Sequence, residues 1–347
     1  MKVGFIEIKK YSNVSQKVLS NDYFCYFSKF FDVVKLEQSC DNLEEWFKEV
    51  TRNRIEYIFL NDWPNPELFR HRTENRIDVN FIILPYVFIP WIERYKEIMR
   101  YVGSKDIVIA HSKFLENAFK SLSDKFTLFR MPIPIDCTLF NIVKSKKKSG
   151  LDIVFCGRML PYKGLDILLI ALNKIKDKYF FKLHIISEIE NQDYMKKFKN
   201  IDFNFYFSIK KLVSDFNLKS RVVFYGSLAE NQNKKRDILS HADALVHLST
   251  DEGETFGRVI TEAFAAGLAV ITTKWQALDE LVTDYENGFL INIGKGKEID
   301  VNEVSLAIEK LYDQKILSRM QSANSLKAKK YDYRIHLKDL QKKLCQT

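Results

Sequence analysis

The sequence predicts an α/β protein made of two doubly wound domains in tandem, and three observations predict it. Short apolar runs rich in β-branched and aromatic residues alternate with helix-period stretches, the pattern of a parallel sheet covered on both faces. The alternation runs once, breaks at the polar stretch "KSKKKSG" (residues 144–150), and starts again. A chain of 347 residues is also too long for one ordinary core and suits two.

In the first half the strands are "KVGFIEI", "DVVKL", "IEYIFL", "VNFIILP", "DIVIAHS" and "FTLFRMPIPI", with helices over 43–53 and 112–122. Pro132 and Pro134 of "RMPIPIDCTLF" then interrupt regular structure, because proline has no N–H to give a ladder. After the polar stretch, "LDIVFCG" is a strand, "KGLDILLIALNKIKD" a helix, and "FKLHIIS", "RVVFYGS" and "ADALVHLS" are strands. "GRVITEAFAAG" is the next helix and "LAVITT" the next strand, and "NSLKAKKYDYRIHLKDLQKKL" reads as helical to the C-terminus. The expected domains are residues 1–148 and 149–325, with 326–347 as a helix packing back on the first.

Composition excludes several classes. Apolar residues make up 46 % and charged residues 29 %, as in a globular rather than a disordered chain. No apolar run reaches the roughly eighteen residues of a membrane span. The opening "MKVGFIEI" is already a strand and has neither the apolar stretch nor the cleavage site of a signal peptide, so a cytoplasmic location is expected. The five cysteines form no C-x-x-C pair and the six histidines do not cluster, so no metal site or disulfide framework is indicated. The net charge of +9 divides into 24 Lys+Arg against 19 Asp+Glu up to residue 148 and 30 against 26 after it, +5 and +4. A nucleic-acid binder concentrates such an excess on one face, and this chain spreads it. Residues 90–103 form a basic, aromatic helix of the kind that lies on a membrane. Its apolar positions 92, 95, 98, 99 and 102 fit a core-facing stripe better.

Two strand-to-helix corners in the second half carry charge where open α/β sheets bind ligands. In "FCGRMLPYKGLD" the backbone turns at Gly157, a helix opens near Gly164, and Arg158 and Lys163 lie between. A helix N-terminus with two cations beside it favours an anion such as a diphosphate. Taken alone, they read as solvated loop cations. The second corner is "ETFGRVITEAFAAG", with Glu254 in the loop and Glu262 eight positions later on a small, apolar helix. A carboxylate there needs donors, and the vicinal hydroxyls of a ribose supply them. Glu254, beside the amides of Thr255, Phe256 and Gly257, could accept from sugar hydroxyls. Taken singly, each glutamate also reads as an ordinary helix-end or solvated residue.

Together the corners resemble a known family, the retaining nucleotide-sugar glycosyltransferases of the GT-B fold, family 4. The resemblance rests on "FCGRMLPYKGLDILLIAL", "VVFYGSL", "HADALVHLSTDEGETFGRVITEAFAAGLAVITT" and "ENGFLI", in family order over most of residues 151–291. It implies two Rossmann-like domains facing a cleft, the first binding the acceptor and the second the donor. It implies a hexosyltransferase that moves a sugar from a nucleoside-diphosphate sugar, its only co-substrate, to a glycan, lipid-linked or small-molecule acceptor. No metal or other cofactor is implied. A peripheral contact with the inner face of the membrane is compatible with it.

By the same resemblance, Arg158 and Lys163 hold the diphosphate with Gly157, and Glu262 holds the ribose. Glu254 and the chain at Thr255, Phe256 and Gly257 hold the transferred sugar, while Gly226 and Leu228 lie by the base. The first domain departs from the family. A Gly-Gly loop is replaced by "IEIKKYSNVSQ", leaving Asn13 as a candidate contact, and "FIILPYVF" offers Pro85 and Tyr86 where a histidine is common. His111, ending "DIVIAHS", is a second candidate contact. Trp275 and Gln276 stand where the second domain often has two glycines. A phosphorylase or sugar-phosphate synthase of the same fold, or a non-catalytic scaffold, is the alternative expectation.

Overall fold

A computed structural model describes residues 1–7, 14–37, 42–60, 65–85, 88–140, 150–187, 203–228 and 231–346. The chain forms two compact units, Met1–Pro134 with Tyr333–Thr347, and Ile135–Asp332.

The first unit is a six-stranded sheet of β1 (Lys2–Glu7), β2 (Asp32–Glu37), β3 (Tyr57–Leu60), β4 (Asn80–Ile83), β5 (Ile107–Ala110) and β6 (Thr127–Arg130). The order is β2-β1-β3-β4-β5-β6 with every neighbour parallel. Helices α1 (Val14–Phe27), α2 (Leu43–Arg52), α3 (Pro66–Glu74), α4 (Ile92–Ile98) and α5 (Lys113–Lys120) connect the strands. Sequence-local caps start three of these helices: the side chains of Asn42, Asn65 and Ser112 accept from the backbone N–H of Glu45, Glu67 and Leu115. Strands β3 and β5 are buried along their whole length, which is why they read as continuous apolar runs. The C-terminal helix Tyr333–Leu344 belongs to this unit. Tyr333 stacks on Tyr26 with centroids 4.2 Å apart and accepts a hydrogen bond from Lys29 Nζ at 2.9 Å.

The second unit is the sheet of β7 (Leu151–Cys156), β8 (Phe181–Ile186), β9 (Val222–Phe224), β10 (Ala244–His247), β11 (Ala269–Thr273) and β12 (Gly288–Ile291). Its order is β12-β11-β10-β7-β8-β9, again all parallel. The strand order therefore reverses between β7 and β10, the position from which open sheets bind ligands at their carboxyl ends. Around it lie α6 (Leu165–Ile175), α7 (Phe203–Asp215), α8 (Gln232–His241), α9 (Arg258–Ala265), α10 (Leu278–Leu281), α11 (Val301–Lys310) and α12 (Gln314–Ala328). The Tyr333–Leu344 helix follows as α13.

Several elements are shorter than the sequence pattern suggests, each for a local reason. The run "FTLFRMPIPI" gives only the four residues of β6, because Pro132 and Pro134 cannot donate to a ladder. β9 stops at Phe224, two residues before Gly226 turns with φ 68°. Residues 90–103 give a 3-10 turn, Ile89–Trp91, and then α4, whose Tyr95 and Ile98 are buried together with Met99 and Val102. That stripe is core, as its spacing implies. The C-terminal helical pattern is broken at Asp332, which is extended, bridges Ile135, and accepts from the Cys137 N–H at 3.3 Å. Among the described residues no helix is long and apolar enough to cross a membrane.

Candidate active site

The two charged corners fall at the carboxyl ends of β7 and β10, the neighbouring strands on either side of the reversal. After β7 the Gly157 N–H donates to the Ile186 carbonyl at 3.1 Å, and Arg158 follows. A 3-10 turn, Pro161–Lys163, ends at Gly164 with φ 70°. A Cβ on Gly164 would lie 2.7 Å from the Leu248 carbonyl oxygen, so only glycine lets the corner pack against β10. The Thr250 N–H donates to the Tyr162 carbonyl at 2.8 Å and ties the two corners together.

Lys163 is 7 % exposed, and its Nζ is surrounded by oxygen. Glu254 Oε2 lies at 2.8 Å, Asp251 Oδ2 at 3.1 Å and Ser249 Oγ at 3.1 Å. Arg158 Nη2 reaches the same Asp251 oxygen at 3.1 Å, and His247 Nε2 lies 3.4 Å from Glu254 Oε2. Burial works against the charge on Lys163, but the Glu254 and Asp251 carboxylates outweigh it and raise its pKa. Burial likewise opposes the Glu254 carboxylate, yet Lys163 and His247 hold it well below the usual range. Two cations thus face two carboxylates, and the corner is close to neutral.

Glu254 leads through the buried Thr255 and Phe256 to Gly257, whose φ of 90° opens α9. A Cβ on Gly257 would stand 2.6 Å from Leu278 Cδ2. Glu262 on α9 is 4 % exposed. Lys235 Nζ, from α8, lies 2.5 Å from its Oε2, and Arg258 Nε lies 3.3 Å from its Oε1. Burial again opposes the charged form, and Lys235 followed by Arg258 overcomes it and lowers the Glu262 pKa. Gly226 accepts from the Ser187 N–H at 3.1 Å. Leu228 is buried and its carbonyl accepts from Gln232 Nε2 at 3.1 Å, just before α8.

The loop bearing Asp251 and Glu254 is tied down from the strands beside it. Thr273 Oγ1 donates to the Ser249 carbonyl at 2.5 Å and Trp275 Nε1 to the Asp251 carbonyl at 2.8 Å. Gln276 Nε2 reaches the Glu252 carbonyl at 3.3 Å, and Lys297 pairs with Glu252 at 2.7 Å while lying over the Trp275 ring.

The second unit therefore brings Arg158, Lys163 and Glu254 together at the adjoining ends of β7 and β10. Gly157 precedes Arg158, and Thr255, Phe256 and Gly257 follow Glu254 into α9, where Glu262 has Lys235 and Arg258 as its partners. His111, in the first unit, is buried at the end of β5. Its Nδ1 lies 2.9 Å from the Met131 carbonyl, so the ring donates through that nitrogen. Burial, with Arg130 adding to it and the Met131 carbonyl opposing, lowers its pKa to about 4 and leaves it neutral near pH 7. Asn13 and Tyr86 lie outside the described residues. Asp251, His247 and Lys235 are site residues that sequence reasoning did not single out. Asp251 stands three positions before Glu254 in the same charged loop, a signal in the sequence, whereas Lys235 sits in "KKR" and looks like part of a solvated face.

Comparison with known proteins follows the same second unit. The profile of the family described as "Glycosyl transferases group 1" matches residues 140–328. Over 155 residues the chain is 27 % identical to the lipopolysaccharide core biosynthesis glycosyltransferase LpsE of Rhizobium meliloti, covering 45 % of this chain and 37 % of that protein. The matches span between 30 % and 41 % of the length of the curated relatives. Among solved structures, sucrose-phosphate synthase from Thermosynechococcus elongatus superposes with a TM-score of 0.77 at 15 % identity, over 99 % of this chain and 98 % of that one. HepE from Anabaena, in complex with UDP and glucose, does so with a TM-score of 0.70 at 17 % identity over the whole of both chains. At these identities the structural likeness is one of fold, the two-domain α/β fold of GT-B glycosyltransferases. Since the profile covers more than half of the 347 residues, the chain belongs to the glycosyl transferases group 1 family.

Proposed function

We propose that this protein is a retaining, metal-independent glycosyltransferase that moves a hexose from a nucleoside-diphosphate sugar to a glycan or lipid-linked acceptor. One observation carries the reading: Lys163 and Arg158 converge with Asp251 and Glu254 at the strand reversal, beside the N-terminus of α9. Cations next to carboxylates suit a ligand with a phosphate end and a hydroxyl-bearing end. Arg158 and Lys163 take the diphosphate, Glu254 accepts from hydroxyls of the sugar, and Glu262 accepts from the ribose. The UDP and glucose bound by HepE support uracil as the base and a hexose as the cargo. The acceptor class is supported by the name of LpsE.

In this reaction the bond from the anomeric carbon to the diphosphate oxygen breaks, and its electron pair stays on that oxygen. About one unit of negative charge grows there, which the ammonium and guanidinium stabilise in a site short of water. The acceptor hydroxyl oxygen bonds to the anomeric carbon on the face that the diphosphate leaves and gives its proton to the departing diphosphate oxygen, so configuration is kept without a protein nucleophile. Incubating the protein with a panel of nucleotide sugars and measuring nucleoside diphosphate release tests the reading. Release from one donor, with an α-linked product from an α-linked donor, is expected; an inverted product overturns retention, and no binding of any nucleoside diphosphate overturns the donor site.

A further inference from the structure

Glu262 on α9 is paired with a residue of a different helix. Lys235 Nζ stands 2.5 Å from Glu262 Oε2, with the two side chains 16 % and 5 % exposed. The helix that carries Lys235, α8, begins directly after Gly226 and Leu228. Asn231 caps it by accepting from the Lys234 N–H, and Gln232 anchors it by donating to the Leu228 carbonyl. In "NQNKKRD" the neighbouring Lys234 is exposed, so one lysine of the pair points to solvent and the other runs inward.

A buried ion pair between two helices is seldom the most stable filling for its space. An apolar pair of the same volume is often as good or better, because both charges must be stripped of water. Stability therefore does not explain why α8 places an ammonium here. A carboxylate that must accept hydrogen bonds from neutral hydroxyls does explain it. Such an acceptor is strong only while ionised and correctly aimed, and its own helix supplies only Arg258, at the longer distance of 3.3 Å.

We propose that Lys235 is a positioning residue for the nucleoside half of the donor: it fixes Glu262, in its charged form, for the ribose hydroxyls. The inference rests on the reading of this site as one for a nucleoside-diphosphate sugar. Of the three donors on the ammonium, Glu262 occupies one, and α8 is thereby built into the ribose subsite without touching the reacting atoms.

The test is titration of the full chain with three probes: UDP, 2′,3′-dideoxy-UDP and inorganic pyrophosphate. Wild-type protein is expected to bind UDP about tenfold or more tightly than the dideoxy compound. Lys235→Met is expected to lose most of that ratio while its affinities for dideoxy-UDP and pyrophosphate stay put, and Lys235→Arg is expected to restore it. Should Lys235→Met leave Glu262 so exposed to desolvation that the protein unfolds, the double variant Lys235→Met/Glu262→Gln removes the buried charge. Its UDP ratio should equal that of Glu262→Gln alone. A wild-type ratio in Lys235→Met, or an equal loss for all three probes, overturns the assignment to Lys235. Wild-type protein that does not distinguish UDP from its dideoxy form, or does not bind UDP, overturns instead the underlying reading of Glu262 and the donor site.

Discussion

Replacing Lys163 by alanine removes the one ammonium that Glu254, Asp251 and Ser249 share within 3.1 Å. The charge of the corner then moves from near zero to about −1, with Arg158 the remaining cation against two carboxylates. Two consequences of different size follow. Lys163, Asp251 and Glu254 have side chains 9 %, 18 % and 15 % exposed, so loss of the cation strands mostly buried carboxylates and is expected to destabilise the fold by about 3–5 kcal/mol. Arg158 is 34 % exposed, and its removal should cost only about 0–1 kcal/mol. For the reaction, each cation lost from beside the departing diphosphate should lower kcat by about a hundredfold, close to 2.7 kcal/mol of barrier. Arg158→Ala is therefore the cleaner variant, since its rate should fall without its stability. Lys163→Arg should not rescue, because a planar guanidinium cannot direct donors at three acceptors gathered around one point. Initial rates over a range of donor concentration, with thermal unfolding of each variant, decide the matter. If kcat stays at the wild-type level and only KM rises, the cations anchor the ground state alone, and another source of catalysis is needed.

Three further outcomes are expected. Activity should survive excess EDTA if, as proposed, Arg158 and Lys163 take the place of a metal at the diphosphate; complete loss restored by magnesium would contradict this. Glu254 and Glu262 have folded-state pKa values below the ordinary 4.5, so their contribution to stability is full above 4.5 and is lost as pH falls through the folded values. Urea midpoints measured between about pH 5 and pH 3 should drop less steeply in Glu254→Gln than in wild type, and identical slopes would show that Glu254 is not held in its charged form. The same Glu254→Gln variant releases Lys163 from one partner and should bind UDP more tightly by about 1–3 kcal/mol while turning over donor more slowly; weaker UDP binding would mean that the diphosphate does not meet Lys163.

The strands were legible because their chemistry is local. A strand buried on both faces, such as β3 or β5, must be apolar throughout, and it announces itself in four letters, "YIFL" or "IVIA". The corners were legible for a similar reason: Gly157, Gly164 and Gly257 mark the turns, and the charges sit within a few positions of them. β12 was not identified as a strand, since "GFLI" is short and opens with glycine, at a position where a Cβ would clash with the Val270 carbonyl oxygen. The break at Asp332 was hidden because its cause, Ile135 and Cys137, is nearly two hundred residues away. Lys235 was hidden for the same reason. In "NKKRD" nothing distinguishes the lysine that turns inward from the one that does not, and only the helix packing makes the choice.

Trp275 and Gln276 give the second unit a loop whose shape is settled before any ligand arrives. The carbonyls of Ser249, Asp251 and Glu252 are each held by a side chain from the neighbouring strand end, and Lys297 clamps the loop from a third segment. Ordering a mobile side chain during association costs about 0.5–1.5 kcal/mol. Here that entropy is surrendered when the chain folds, so on the proposed reading Asp251 and Glu254 would meet a donor already in register. A loop so restrained gives up adaptability in return: it favours ligands of one shape, and a change of sugar specificity would have to begin by loosening the indole.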